Sequence, residues 1–132
     1  MEESALVLLD KGACWNHPAK VVAHWSELSP ASGGESVCKE VEVRAMTIKK
    51  EYLAWVYELG RVEVEGRPLT KFLQMGDRLS FWWMTLMAEK ATFKSPGIYQ
   101  VFKLRALESI YERHACKGLI YCGGDAKLHC VL

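Results

Sequence analysis

The run Ala5-Leu6-Val7-Leu8-Leu9 is apolar without a break and stops at Asp10-Lys11-Gly12. A strand with one wet face alternates apolar and polar residues. An unbroken short run suits a strand covered on both faces, as in a parallel sheet. Parallel neighbours cannot be joined by tight hairpins and need crossover connections. This single feature therefore asks for an α/β fold with covering layers on either side of the sheet.

The rest of the chain supplies further elements. Residues 21–25, Val-Val-Ala-His-Trp, read as a second short strand, and residues 29–35 as a turn-rich loop. Val37–Val43 alternates well enough to be expected as a third strand. Thr47 opens a helix in which Ile48, Tyr52, Trp55, Val56 and Leu59 recur at helical spacing, with Gly60 as its left-handed stop. Gly66-Arg67-Pro68 is a turn, and Pro68 begins a short helix to Met75. Residues 79–90 carry a dense aromatic stretch whose first half favours strand and whose second half favours helix. Ser95-Pro96 marks a helix start that runs to about Ala115. Gly118-Leu-Ile-Tyr-Cys122 is a buried strand, Gly123-Gly124 a turn, and Asp125 the cap of a last helix. That helix has barely two turns and an apolar end, so the α/β domain, three-layered with a mainly parallel sheet, is expected to be incomplete at its carboxyl terminus.

Composition narrows the function. Lys and Arg total 17 against 16 acids, so no net field favours nucleic acid or an anionic membrane, and no nucleic-acid partner is expected. No stretch approaches the ~20 apolar residues of a transmembrane segment, and the acidic start is no signal peptide. Five cysteines without framework spacing read as reduced thiols of a cytoplasmic protein, Cys122 and Cys130 packing as small hydrophobes. A zinc site built on Cys14-x-x-His17 lacks a second recognisable ligand pair, and no metal or cofactor is expected.

Residues 80–108 are distinctive. Trp82-Trp83-Met84-Thr85, then Glu89-Lys90, then Lys94-Ser95-Pro96, then Phe102-Lys103-Leu104 follow one another in this order. The segment resembles a bacterial family of surface-carbohydrate biosynthesis proteins, glycosyltransferases found with capsule and lipopolysaccharide genes. The strong part covers about thirty residues and extends weakly through residues 118–132. Members are several times longer and look like two Rossmann-like halves, with the nucleotide-sugar donor usually held by the carboxy-terminal half. The resemblance implies that residues 1–132 are an amino-terminal, acceptor-side Rossmann-like domain whose carboxy-terminal domain is missing. A sugar acceptor or nucleotide sugar would be the partner of the full-length protein. The alternative is a non-catalytic α/β interaction or scaffold module, since no self-contained catalytic constellation is visible.

Several residues are candidates for chemistry. Adjacent Trp82 and Trp83 cannot both face one side of a strand; burial as core anchors is the first expectation, and an exposed indole stacking on a sugar face the second. Glu89 is the candidate catalytic carboxylate, as general base or nucleophile, but no partner carboxylate is apparent, and an exposed elbow of solvated charges at Glu89-Lys90 is the first expectation. Lys90 and Lys94 could meet a phosphate or sugar carboxylate. Ser95 caps a helix end that could face an anion, a reading that Pro96 weakens by removing a donor. On a helical wheel Lys103 falls inside an apolar arc with Ile98, Phe102, Ala106 and Ile110, where snorkelling is the first expectation and a buried ion pair or ligand contact the second. Asp10, Gly123, Gly124 and Asp125 follow predicted strands and would border the ligand crevice of an open sheet, the glycines letting a ligand approach the backbone. No Gly-x-Gly-x-x-Gly, Walker or Gly-x-Ser-x-Gly motif is present.

Overall fold

The computed structural model describes residues 4–85, 88 and 94–132. The chain divides into two compact units, one formed by Met1–Ala45 with Lys103–Leu132 and the other by Met46–Phe102. The first unit is thus discontinuous in sequence.

The first unit is built on a four-stranded, wholly parallel sheet in the order β3-β2-β1-β8. Strand β1 (Ala5–Leu9) is buried along its whole length, as its unbroken apolar run requires. It pairs on one side with β2 (Val21–His24), Leu6 opposite Val21, and on the other with β8 (Gly118–Cys122), Leu6 opposite Leu119. Strand β3 is only Glu35–Ser36. The crossovers from β1 to β2 and from β2 to β3 are loops without a helix. Strand β8 is half-buried rather than fully covered.

The expected strand at Val37–Val43 is instead helix α1. Ser36 caps it, its hydroxyl accepting the Lys39 amide at 3.1 Å. Val37, Glu40 and Val41 point inward at helical spacing, while Val43 is 75% exposed. Three valines mimicked a two-residue period, and the cap with an i, i+3, i+4 face prevailed. Near the end of the chain the expectations hold: Asp125 caps α5 (Ala126–Val131), its Oδ1 accepting the amides of Lys127 and Leu128.

The second unit has a core of Tyr52, Val56, Trp82 and Ile98, with Leu59, Leu69, Leu73 and Phe102 packed against it. Helix α2 (Ala45–Arg61) begins before Thr47 and runs past Gly60. Gly60 is no left-handed stop: a Cβ there would lie 2.7 Å from Trp82 Nε1 and 2.9 Å from Thr70 Cγ2. Glycine is needed because the indole presses against the helix. A hairpin of β4 (Glu63–Val64) and β5 (Arg67–Pro68) follows, then α3 (Leu69–Phe72), shorter than expected. The chain then forms a second hairpin, β6 (Gln74–Met75), where the end of that helix was expected, with β7 (Leu79–Ser80), at the start of the stretch expected to favour strand.

A 3-10 turn, Phe81–Met84, succeeds β7. Ser80 Oγ accepts the Trp82 amide and Thr85 Oγ1 donates to the Trp82 carbonyl at 2.7 Å. The helix expected in the second half of this segment falls mostly outside the described residues. Helix α4 (Pro96–Arg113) starts directly after Ser95, as expected, and contributes its first turns to the second unit and the remainder to the first. Among the described residues no helix is long and apolar enough to cross a membrane.

Candidate functional site

Strand order places the candidate site in the first unit. From β1 the chain adds β2 and β3 on one side, and then returns to add β8 on the other. In open parallel sheets the carboxyl ends of strands at such a reversal frame a ligand crevice. Here those ends carry Asp10 after β1 and Gly123-Gly124-Asp125 after β8.

Asp10 is firmly oriented. Its amide donates to the Cys122 carbonyl at 3.0 Å, continuing the β1–β8 ladder by one residue. Its Oδ1 accepts the Ser26 hydroxyl at 2.9 Å and the Lys11 amide at 2.8 Å. Ser26 comes from the carboxyl end of β2, so two neighbouring strands fix one oxygen. The other oxygen, Oδ2, takes no hydrogen bond among the described residues.

The two glycines differ. A Cβ on Gly123 would lie 2.3 Å from Tyr121 Oη and 2.8 Å from Asp10 Cβ, so the protein's own side chains use that space. Gly124 has nothing within 4 Å of such an atom and is the one open to a ligand. Tyr121 Oη also accepts the Asp125 amide at 3.1 Å, tying the turn to β8.

Lys103 enters this edge from α4. It is 5% exposed, and its Nζ lies 4.3 Å from the centre of the Trp25 ring, a cation–π placement. Burial pushes the pKa of its ammonium below the usual value; the charges of Cys38 and Asp10 oppose that fall, and Lys11 adds to it. The helical wheel placed Lys103 on the apolar arc, but the snorkelling expected first does not occur, and the ammonium is buried over the Trp25 ring.

A second arrangement in this unit was not anticipated. A cleft of about 490 Å3 is lined by Leu28, Pro30, Glu35, Lys39, Glu40 and Arg113, among others. Arg113 bridges two carboxylates, Nη1 at 3.2 Å from Glu40 Oε2 and Nη2 at 3.4 Å from Glu35 Oε1. His114 Nε2 lies 2.9 Å from Glu35 Oε1, and the Ser109 hydroxyl reaches the buried Glu40 at 3.4 Å. These pairs join residues 69 to 79 positions apart in sequence. The only signal, Arg113 and His114 at a helix end, reads equally well as charge complementing the helix dipole.

The remaining candidates belong to the second unit or lie outside the described residues. Trp82 is 2% exposed and is a core residue; this removes it from direct substrate contact. Trp83 is 49% exposed. Lys94 is exposed and Ser95 half-buried. Glu89 and Lys90 lie outside the described residues. All five cysteines are free thiols, with Cys116 buried and Cys130 exposed, the reverse of the expectation for Cys130. Among the described residues no group of three or more His, Cys, Asp or Glu is placed to hold a metal ion. Comparison with protein-family models, with curated proteins and with solved structures gives no match to this chain.

Proposed function

We propose that this chain is the acceptor-side part of a glycosyltransferase-like protein of bacterial surface-polysaccharide synthesis, Rossmann-like in its first unit and working in the cytoplasm. The observation that carries the reading is Asp10 at the reversal of strand order, with one carboxylate oxygen anchored and the other open. The motif resemblance around Trp82-Trp83 and Lys94-Ser95-Pro96 supports it.

The chemistry follows from that geometry. An acceptor hydroxyl hydrogen-bonds to Asp10 Oδ2, and the carboxylate draws its proton as the oxygen attacks the sugar carbon. The new C–O bond forms as the bond to the departing phosphate breaks. Donor binding and charge stabilisation at that phosphate belong to the other half of the protein in this reading. Glu89 remains a candidate for the same base.

The test is a titration of the 132-residue chain followed by amide chemical shifts. Acceptor saccharides are expected to perturb residues 10–12, Ser26 and residues 123–125, and Asp10→Asn to abolish the response. Nucleotide sugars are expected to bind no tighter than about 1 mM, ~4 kcal/mol. A micromolar nucleotide sugar would move the donor site into this chain. Silence at residues 10–12 and 123–125 with every saccharide would remove the crevice.

A second reading, a non-catalytic interaction module, is favoured by one observation. Trp55, Tyr57, Phe72, Met75, Phe81 and Met84 of the second unit are each about half exposed or more. Where large exposed apolar side chains adjoin in one patch, they mark a partner surface. A monomer by size exclusion that retains no partner on purification would count against it.

A further inference from the structure

We propose that the second unit carries a saccharide subsite of its own, centred on Trp83 and suited to one acidic sugar ring. A pocket of about 220 Å3 opens between α3 and the β6–β7 hairpin, lined by Lys71, Gln74, Asp77, Arg78, Ser80 and Trp83 with two neighbours. It lies wholly within Met46–Phe102. The inference rests on this pocket and stands whether or not the crevice at Asp10 binds an acceptor.

The wall chemistry selects the ligand. The 3-10 turn that sends Trp82 into the core leaves its neighbour's indole half exposed at the pocket. A flat π-face with a ring N–H matches the C–H face of a pyranose. Asp77 can accept from two ring hydroxyls, and the free carbonyl of Gln74, whose amide already donates to Gly76 O at 3.0 Å, can accept another. Ser80 is not available, because its hydroxyl donates to the Thr70 carbonyl.

Charge decides between neutral and acidic sugars. Two cations, Lys71 and Arg78, face one carboxylate, Asp77, and no ion pair or hydrogen bond among the described residues engages any of the three side chains. Guanidinium geometry favours a carboxylate or phosphate held by two parallel bonds. The volume is below the ~300–1,000 Å3 of sites for drug-sized ligands, which limits the occupant to about one ring. An aromatic platform, hydroxyl acceptors and a surplus cation together describe a uronate or a sugar phosphate.

The experiment titrates the full chain with three probes: an oligosaccharide ending in glucuronate, the same oligosaccharide ending in glucose, and glucose 6-phosphate. Trp83→Ala, Arg78→Gln and Trp55→Ala are compared with the parent, with melting curves as the check on folding. The glucuronate probe is expected to bind at least about tenfold tighter than its neutral counterpart, the preference shrinking as salt is raised. Trp83→Ala is expected to lose binding of every probe about tenfold or more, and Arg78→Gln to lose only the acidic preference. Trp55→Ala, altering an exposed indole elsewhere in this unit, is expected to leave this binding intact. The phosphate probe separates the two acidic sources: tighter binding than glucuronate assigns a sugar phosphate, weaker binding a uronate. No binding by about 10 mM, equal affinity for acidic and neutral probes, or undiminished binding by Trp83→Ala would each overturn the proposal.

Discussion

Trp82 and Trp83 stand next to each other in the chain and meet opposite environments. In a 3-10 turn successive side chains point about 120° apart, so one indole is driven into the core as the other is turned to solvent. Trp82→Ala should therefore cost ~3–5 kcal/mol, the usual loss for a buried large aromatic, and Trp83→Ala no more than about 0.5 kcal/mol. Urea midpoints measure the contrast, and equal midpoints would contradict the burial. Lys103 yields a different kind of prediction. Its folded pKa is lowered by burial from the ordinary 10.5, so over the interval between the two values the unfolded chain binds more protons. Below that interval both states are protonated and pH has no leverage through this group. Within it, wild-type stability should rise with pH relative to Lys103→Met. Unfolding curves taken from pH 7 towards about pH 10 should diverge in that direction, and parallel curves would show an ordinary lysine.

At the scale of elements, local chemistry set the helix starts more reliably than the side-chain periods. Asp125 is the clearest case, since one oxygen serves two amides of a helix of only six residues. So short a helix cannot persist by propensity, and its cap and packing carry it. Asp125→Ala should cost about 1 kcal/mol and speed amide exchange at Lys127 and Leu128 while leaving β1 protected. Exchange unchanged at those two amides would mean that packing alone holds α5. Val37–Val43 shows the opposite situation. Its valines alternate, yet Ser36 is placed to cap, and Val37, Glu40 and Val41 share one buried face only in a helix. Strands Ala5–Leu9 and Gly118–Cys122 were legible because apolar runs bounded by turn residues leave few alternatives. The short hairpins of the second unit were not, because two-residue strands have no period to read.

On the scale of the whole molecule, the discontinuity of the first unit has a direct consequence. Strand β1 lies between β2 and β8, and β8 belongs to the returning segment Lys103–Leu132. A fragment ending at residue 102 would leave one edge of β1 without its parallel partner and without Ile110 and Leu128, two buried residues of that unit. Such a fragment should lack the cooperative unfolding transition of the intact chain. In the intact chain Leu6, Val7 and Leu8, paired on both sides and buried, should be the slowest amides to exchange. Faster exchange there than in α4 would show that the sheet is not the stable centre.

The amino-acid sequence by itself determined an inner strand of the parallel sheet, the helix beginning at Pro96, the cap at Asp125 and the place of Lys103 on the apolar arc of its helix. Each depends on residues within one turn or one strand of each other, and local sterics and apolar periodicity act at that range. Tertiary structure alone decided that Ser26 anchors Asp10, that Arg113 joins Glu35 to Glu40, and that Trp25 lies under Lys103. It also decided that Gly60 yields to an indole rather than ending a helix. Those pairings join residues from about fifteen to more than seventy positions apart. Strand order and the return of the chain bring them together, and no short-range pattern records which partner will arrive.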